Sequence, residues 1–278
     1  MLIPFKTLTL ERLYFDGFGA QYLTVIASIA YCDHMKYNYF HSPFTEVQHC
    51  LSPRGNLVND TVTRARAEEL SRFIGIPSGM LFSTFRHTCL KVVTVHKSEK
   101  HWARHGKIYK LVNGAPNKYY NPHVLSILRQ YYYSTPKPNT KTSIALHIRR
   151  GDVDKKTHPT RYTDNDKYKK IIRFLLKTYP NDTITIFSEG IIDDFHDLQQ
   201  NRVVFQLNGT VEETFHSFVK AKVLVIAKSL FSYCAALLNK NEIYYIPYLH
   251  LPLKHWKTII EDPDTPGQML TPNIVLGI

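Results

Sequence analysis

Ser143-Ile-Ala-Leu-His-Ile-Arg-Arg-Gly-Asp152 decides the reading of this chain. Ile144, Ala145, Leu146 and Ile148 make a short apolar run, the signature of a strand buried on both faces, read here as Ile144–Arg149. The run gives out at two arginines, a glycine and an aspartate. Arginine is poor strand material and costly to bury without a partner. Two arginines at a strand end, followed by a turn glycine, point to a grip on an anion. The guanidinium fork matches a phosphate bidentately and never loses its charge. In open α/β sheets, ligands sit beyond the carboxyl ends of the strands. The commoner fate of an arginine pair is to meet surface acids, but here His147 and Asp152 flank it in a fixed frame. Arg150-Gly151-Asp152 also spells an adhesive tripeptide. Such tripeptides act from exposed loop tips, whereas this one grows out of an apolar strand.

Downstream, the pattern alternates. The periodicity predicts a helix over Asn165–Tyr179, with Tyr168, Ile171, Ile172 and Leu175 on one face, then a strand over Thr183–Ser188. A short helix over Ile192–Leu198, a strand over Arg202–Leu207, a helix over Val211–Ala221 and a strand over Val223–Ala227 follow. Leu230–Leu238 reads as a helix and Glu242–Pro247 as the last strand. Short apolar strands between helices imply a parallel, doubly wound α/β sheet. The tail from His250 carries Pro252, Pro263, Pro266 and Pro272 and reads as irregular after one helix near Trp256.

Upstream, Ser134–Thr142 is rich in Pro, Thr and Asn and reads as a linker or exposed loop. Before it, a helix from Asp16-Gly-Phe-Gly-Ala-Gln21 to about Met35, a strand at Tyr37–Phe40, a helix at Arg64–Phe73 and a strand at Leu90–Val95 are expected. The segment beyond Lys100 shows no clear pattern. The expected domains are therefore 1–138, 139–250 and a tail, 251–278, able to return to the first domain.

With 278 residues, 44% apolar and 21% charged, the chain has the makings of a soluble globular protein with two domains. No run approaches the roughly 20 apolar residues that a membrane span needs. Met1–Leu10 lacks a secretory signal pattern, so a soluble, cytoplasmic protein is expected. Cys32, Cys50, Cys89 and Cys234 are scattered, without metal or disulfide spacing. The Asn59, Asn181 and Asn208 sequons then read as chance matches. A net charge of +12 and a pI near 9.4 imply an anionic partner, either nucleic acid or a phosphorylated small molecule. The basic residues come as short pairs (Lys155-Lys156, Lys169-Lys170) with acids close by, the pattern of a solvated face. Tyr119-Tyr120 and Tyr131-Tyr132-Tyr133 fit strand, core or interface packing better than base stacking.

Two further motifs complete the set. Gly17-Phe18-Gly19 precedes a helix, where backbone can approach a phosphate closely. Ala227-Lys-Ser-Leu-Phe-Ser-Tyr233 follows a strand and starts a helix. There Ser229 and Ser232 can cap the helix or donate hydroxyls to an anion.

The order of these motifs resembles the superfamily of α1,2-, α1,6- and protein O-fucosyltransferases. His147-x-Arg149-Arg150-x-Asp152 carries the resemblance, together with the Gly17–Gln21 loop and the Ser229-x-Phe231-Ser232 turn about eighty residues after the arginines. Phe187-Ser188-Glu189 is similar to the family's strand-end Ser/Thr-Asp. The resemblance covers most of 143–247 and about 16–45. It implies a GT-B architecture, two Rossmann-like domains facing across a cleft, and an inverting, metal-independent sugar transfer from a nucleotide-sugar donor, GDP-fucose above all, to an oligosaccharide or glycoprotein hydroxyl. It also implies that Arg149 contacts the β-phosphate and stabilises the leaving diphosphate. Gly17, Phe18, Gly19, Gln21, His147, Arg150, Ser188, Glu189, Ser229, Phe231 and Ser232 would join it around the donor. The family's acidic residue for guanine or ribose falls here on Thr214, after Glu212 and Glu213. Glu213 is the candidate substitute.

A general base must face the acceptor hydroxyl. Asp16, beside the glycine loop, is the first candidate, with an N-cap or turn as its alternative role. Asp152, Asp154 and His158 are further candidates, although Asp152 also fits a partner that orients Arg150. His101 and His105 have the i, i+4 spacing of metal ligands, but no third ligand is evident, and no metal is expected. No resident cofactor is expected either. A pentosyl transferase such as a xylosyltransferase using a GDP or UDP donor, and a non-catalytic basic nucleic-acid-binding protein, are the alternatives.

Overall fold

The computed structural model describes residues 6–10, 16–47, 64–81, 91–95, 99–260 and 273–275. The described residues divide into two compact units, one up to Lys137 and one from Pro138.

In the first unit, strands β1 (Lys6–Leu10), β2 (Asn38–His41), β3 (Gly79–Leu81) and β4 (Lys91–Val95) form one sheet in the order β3-β2-β1-β4. β1 runs parallel to β2 and β4, and β3 is antiparallel to β2. Five helices accompany them: α1 (Phe18–Met35), α2 (Arg64–Ile74), α3 (Glu99–Gly114), α4 (Pro116–Tyr119) and α5 (Pro122–Tyr132). α1 is apolar nearly all round and correspondingly buried, from Tyr22 and Leu23 to Ile29 and Cys32. It packs against β1, β2, α3, α4 and α5. α5 starts where its sequence dictates: Asn121 Oδ1 accepts from Val124 N at 3.0 Å, with Pro122 in the first turn. Tyr119, Tyr120 and Tyr132 are core residues in or beside helices rather than strands. β1 and β3 were not expected from the sequence.

The second unit is a parallel sheet. β5 (Ile144–His147), β6 (Ile184–Ser188), β7 (Val203–Leu207), β8 (Val223–Ile226), β9 (Glu242–Tyr245), β10 (Lys257–Ile260) and β11 (Asn273–Val275) lie in the order β11-β10-β9-β8-β5-β6-β7. Every pairing is parallel. The strands' period of two assigns the faces. Ile144, Leu146, Ile184, Ile186, Val223 and Val225 form one core with Tyr168, Ile171, Ile172 and Leu175 of α6 (Asn165–Thr178). On the other face, Phe218 of α7 (Val211–Lys220) meets His147 and Phe187 at ring-centroid distances of 5.1 Å each. α8 (Leu230–Leu238) follows β8 and is buried along most of its length.

Ile192–Leu198 is a short helix as expected, in 3-10 form. The end of the chain departs from expectation. Trp256 does not sit in a helix but precedes β10, so β9 is not the last strand. The described part of the tail adds β10 and β11 to the second unit's sheet. Among the described residues no helix is long and apolar enough to cross a membrane.

The strand order reverses at β5. The chain moves outward through β6 and β7, crosses back to β8 on β5's other side, and continues through β9 to β11. The loops after β5 and β8 therefore leave in opposite directions, which is where ligands sit in open α/β sheets.

Candidate functional site

β5 ends at His147, two residues earlier than expected, so both arginines lie in the loop beyond it. Buried Ile148 anchors that loop. Its N–H donates to Phe187 O at 2.9 Å, and Ser188 Oγ donates to its carbonyl at 2.8 Å. Ser188 is thereby a tie between two strand ends.

Arg149 lies at the switch point. Its Nη1 donates to Ser229 Oγ at 3.2 Å, joining the loop after β5 to the one after β8. Its Nε and Nη2 donate to Asp152 Oδ1 and Oδ2 at 3.2 and 2.5 Å. Asp152 therefore orients Arg149, not Arg150. Both its oxygens are engaged, which makes it a holder of the guanidinium rather than a free base. These bonds occupy three of the five guanidinium N–H groups, leaving two for a ligand.

Arg150 turns away from the donor role expected of it. It donates to the carbonyls of Arg149 and Thr163 and to Asn165 Oδ1 at 2.9, 3.0 and 2.8 Å. Its guanidinium stacks 4.2 Å from the Tyr162 ring centroid. Asn165 in turn donates to Asp194 O and Asp197 Oδ1. Arg150 thus fastens the loop to the start of α6 and to the 3-10 turn.

Gly151 sits at φ +78°, and a Cβ there would lie 1.7 Å from Glu189 Oε2. Only glycine lets the Glu189 carboxyl approach so closely. Burial, with Asp152 next in importance, pushes that carboxyl up to about 7 against the opposing pull of Arg149.

Ser229 is the N-cap of α8, yet its side chain makes no cap bond and accepts from Arg149 instead. Ser232 is fully buried, and its Oγ donates to Ser229 O at 3.4 Å. Phe231 packs on Phe215, Phe218 and His147. Burial first, then Arg149, lowers the His147 imidazole to about 3, so it is neutral at pH 7. Its Nδ1 is enclosed without a hydrogen-bond partner. Beside Ser229, a small hollow is lined by Leu230, Tyr233, Tyr245, Tyr248 and His250. Glu213 departs from expectation. It is exposed and serves the N-cap of α7, where Thr210 Oγ1 donates to its Oε2 and accepts from its N–H.

The remaining candidates lie in the first unit. Gly17 is the N-cap of α1 at φ −64°, ordinary extended backbone. Phe18 is core, in contact with Tyr22, Phe44 and Phe73, and Gly19 is buried. Buried Gln21 braces the loop by donating to Asp16 O and Glu46 O at 2.8 and 2.7 Å. Phe18, Gly19 and Gln21 are thus packed into their own unit. Asp16 is exposed and accepts from Gly17 N at 2.7 Å.

Asp154 accepts from Lys156 N, Thr157 N and Thr157 Oγ1. The Thr157 hydroxyl leads in holding its carboxyl below the usual range. That makes it a turn-former and a weak base. His158 Nδ1 lies 2.9 Å from Thr157 Oγ1. The side chains of His101 and His105, with Cys50, Cys89 and Asn59, lie outside the described residues. Among the described residues no three His, Cys, Asp or Glu side chains converge as a metal site.

Sequence reasoning missed the division of labour between the two arginines and the Tyr162–Asn165 anchor. Alternation was the available signal, since consecutive residues leaving a strand point to opposite sides.

No protein-family model matches the sequence, and no curated protein matches it. Among solved structures, the chain is similar to the E. coli heptosyltransferase WaaC with ADP-2-deoxy-2-fluoro heptose, at 11% identity over 97% of this chain and 92% of that one, with a TM-score of 0.43. It is similar to POFUT1 in complex with GDP-fucose, at 10% identity over 98% of each chain, with a TM-score of 0.41. For TarM the identity is 17%, over 61% of this chain and 36% of that one, with a TM-score of 0.30. Likenesses this distant assign no activity to this chain.

Proposed function

We propose that this chain is an inverting glycosyltransferase of GT-B type. Its second unit would hold the diphosphate of a nucleotide-sugar donor at Arg149, Ser229 and the first turn of α8. The carrying observation is the Arg149–Ser229 bond. It sets a permanently charged, half-buried guanidinium beside a helix N-terminus, at the point where a parallel sheet changes direction.

The chemistry follows from that placement. An acceptor hydroxyl attacks the anomeric carbon, and the bond from that carbon to the β-phosphate oxygen breaks. The diphosphate leaves with the electron pair. Charge grows on the leaving oxygens as the bond breaks, and a guanidinium already fixed by Asp152 stabilises it without reorganising. The acceptor's proton goes to a base, for which Asp16 of the first unit is the candidate. GDP-fucose is the favoured donor on the motif resemblance, with a pentose donor carrying GDP or UDP as the alternative.

The test is release of free nucleoside diphosphate from GDP-fucose, UDP-xylose and an ADP-sugar, with and without EDTA. One donor should turn over, unaffected by EDTA, and Arg149→Ala should lower the rate by about 10²- to 10³-fold. Failure of every donor, or equal turnover by the variant, would count against the reading.

A further inference from the structure

We propose that Glu189 binds the donor's diphosphate as a neutral carboxylic acid, donating its proton to a phosphate oxygen, so that anion binding is coupled to proton uptake at this side chain. The inference rests on the phosphate-site reading and adds a residue and a pH dependence to it.

Glu189 directly follows β6, beside the loop after β5, with its carboxyl occupying the space a side chain on Gly151 would fill. Gly151 lies between Arg150 and Asp152, so the carboxyl sits against the Arg149–Asp152 pair and feels both charges. Asp152 has already neutralised Arg149 through both of its oxygens.

With Glu189 ionised, the group of three carries a net negative charge and repels a phosphate. With Glu189 protonated, it is neutral overall and gains an O–H donor. From the 3-10 turn, the carboxylate of Asp194 points elsewhere, accepting from Ile191 N at 2.9 Å. His147, on β5, is neutral. Arg150, the loop's other cation, is turned to the Arg149 and Thr163 carbonyls, Asn165 and the Tyr162 ring, so Arg149 is the cation that acts on Glu189. Its carboxyl titrates near neutrality, raised chiefly by burial, so the proton is available in the working range. A diphosphate arriving beside it raises its proton affinity further.

Calorimetric titration with GDP and with inorganic pyrophosphate, in two buffers of different ionisation enthalpy at pH 6, 7 and 8, tests this on the wild type, Glu189→Gln and Arg149→Ala. Subtracting the Glu189→Gln result cancels the ligand's own titration. Wild type should take up more protons than Glu189→Gln at pH 7 and lose about tenfold more affinity between pH 6 and 8. Glu189→Gln, which keeps a donor, should match the wild type at pH 6. Carbon-13 NMR of the Glu189 carboxyl should show its titration moving to higher pH with ligand bound, independently of the variant's folding. Tight binding with equal proton uptake in the two proteins, or an unmoved titration, would overturn the Glu189 assignment alone. Failure of wild type to bind either probe at any pH would overturn it together with the phosphate site.

Discussion

Arg149 and Ser229 are 80 residues apart in sequence, yet Arg149 Nη1 donates to Ser229 Oγ at 3.2 Å. Each follows a strand, β5 or β8, and the two strands pair directly in parallel. The sheet therefore brings the two loops together before any ligand arrives. Asp152 fixes the guanidinium from the other side. A positive group held in this way needs little ordering on binding, which favours affinity.

Arg150→Ala should separate fastening from binding. The side chain makes three hydrogen bonds within its own loop and to α6, plus a stack on Tyr162. Its loss should cost about 2 kcal/mol of stability, read from denaturant midpoints. Nucleoside diphosphate affinity of the folded protein should change by less than about threefold. A large affinity loss at unchanged stability would restore Arg150 to the ligand.

Gly151→Ala combines a strained φ of +78° with a Cβ placed 1.7 Å from Glu189 Oε2. The conformational part alone costs about 1 kcal/mol or more. In a double-mutant cycle, Glu189→Ala should relieve the clash but not the strain. A coupling of at least about 0.5 kcal/mol is therefore expected, and additive effects would show that the two residues do not meet.

Acid should destabilise both units. Burial lowers His41 in the first unit and His250 in the second to about 4 each. In the unfolded chain both titrate near 6.5. Between about pH 4 and 6.5 the unfolded state therefore binds protons that the native state refuses. Stability is intact above 6.5 and falls as the pH drops through that window, by up to about 1.4 kcal/mol per pH unit for each histidine. Urea midpoints from pH 7.5 to 5 should fall accordingly, and His250→Phe should lessen the second unit's slope without abolishing it, since buried His147 there is lowered as well. A slope unchanged by the substitution would contradict this cause.

Much of the second unit was legible in the sequence. In β5, β6 and β8, buried on both faces, apolar runs leave little ambiguity, and α6 shows its core face as Tyr168, Ile171, Ile172 and Leu175. β10 was not legible. Lys257-Thr-Ile-Ile260 is four residues long, lies among prolines, and becomes a strand by pairing with β9, a tertiary choice that local pattern does not carry. β1 was missed for the same reason. Within the site, the motif marked Arg149 and Ser229, but not that neighbouring arginines would part company. Glu213 misled because a glutamate three residues after Thr210 serves equally well as a partner of the N-cap hydroxyl. Gln21 and Phe18 lay in a motif that looks open in sequence but is closed by packing in the structure.

The most direct test of the account is a melting-temperature titration of wild type and Arg149→Ala with GDP, UDP, ADP and a polynucleotide. A ligand that binds only the native state stabilises it by about 2.7 kcal/mol at a hundred times its Kd. The account predicts a rise with one nucleoside diphosphate, abolished in Arg149→Ala, and no comparable rise with polynucleotide. A rise with polynucleotide alone, weakening steeply with salt and indifferent to Arg149, would contradict it.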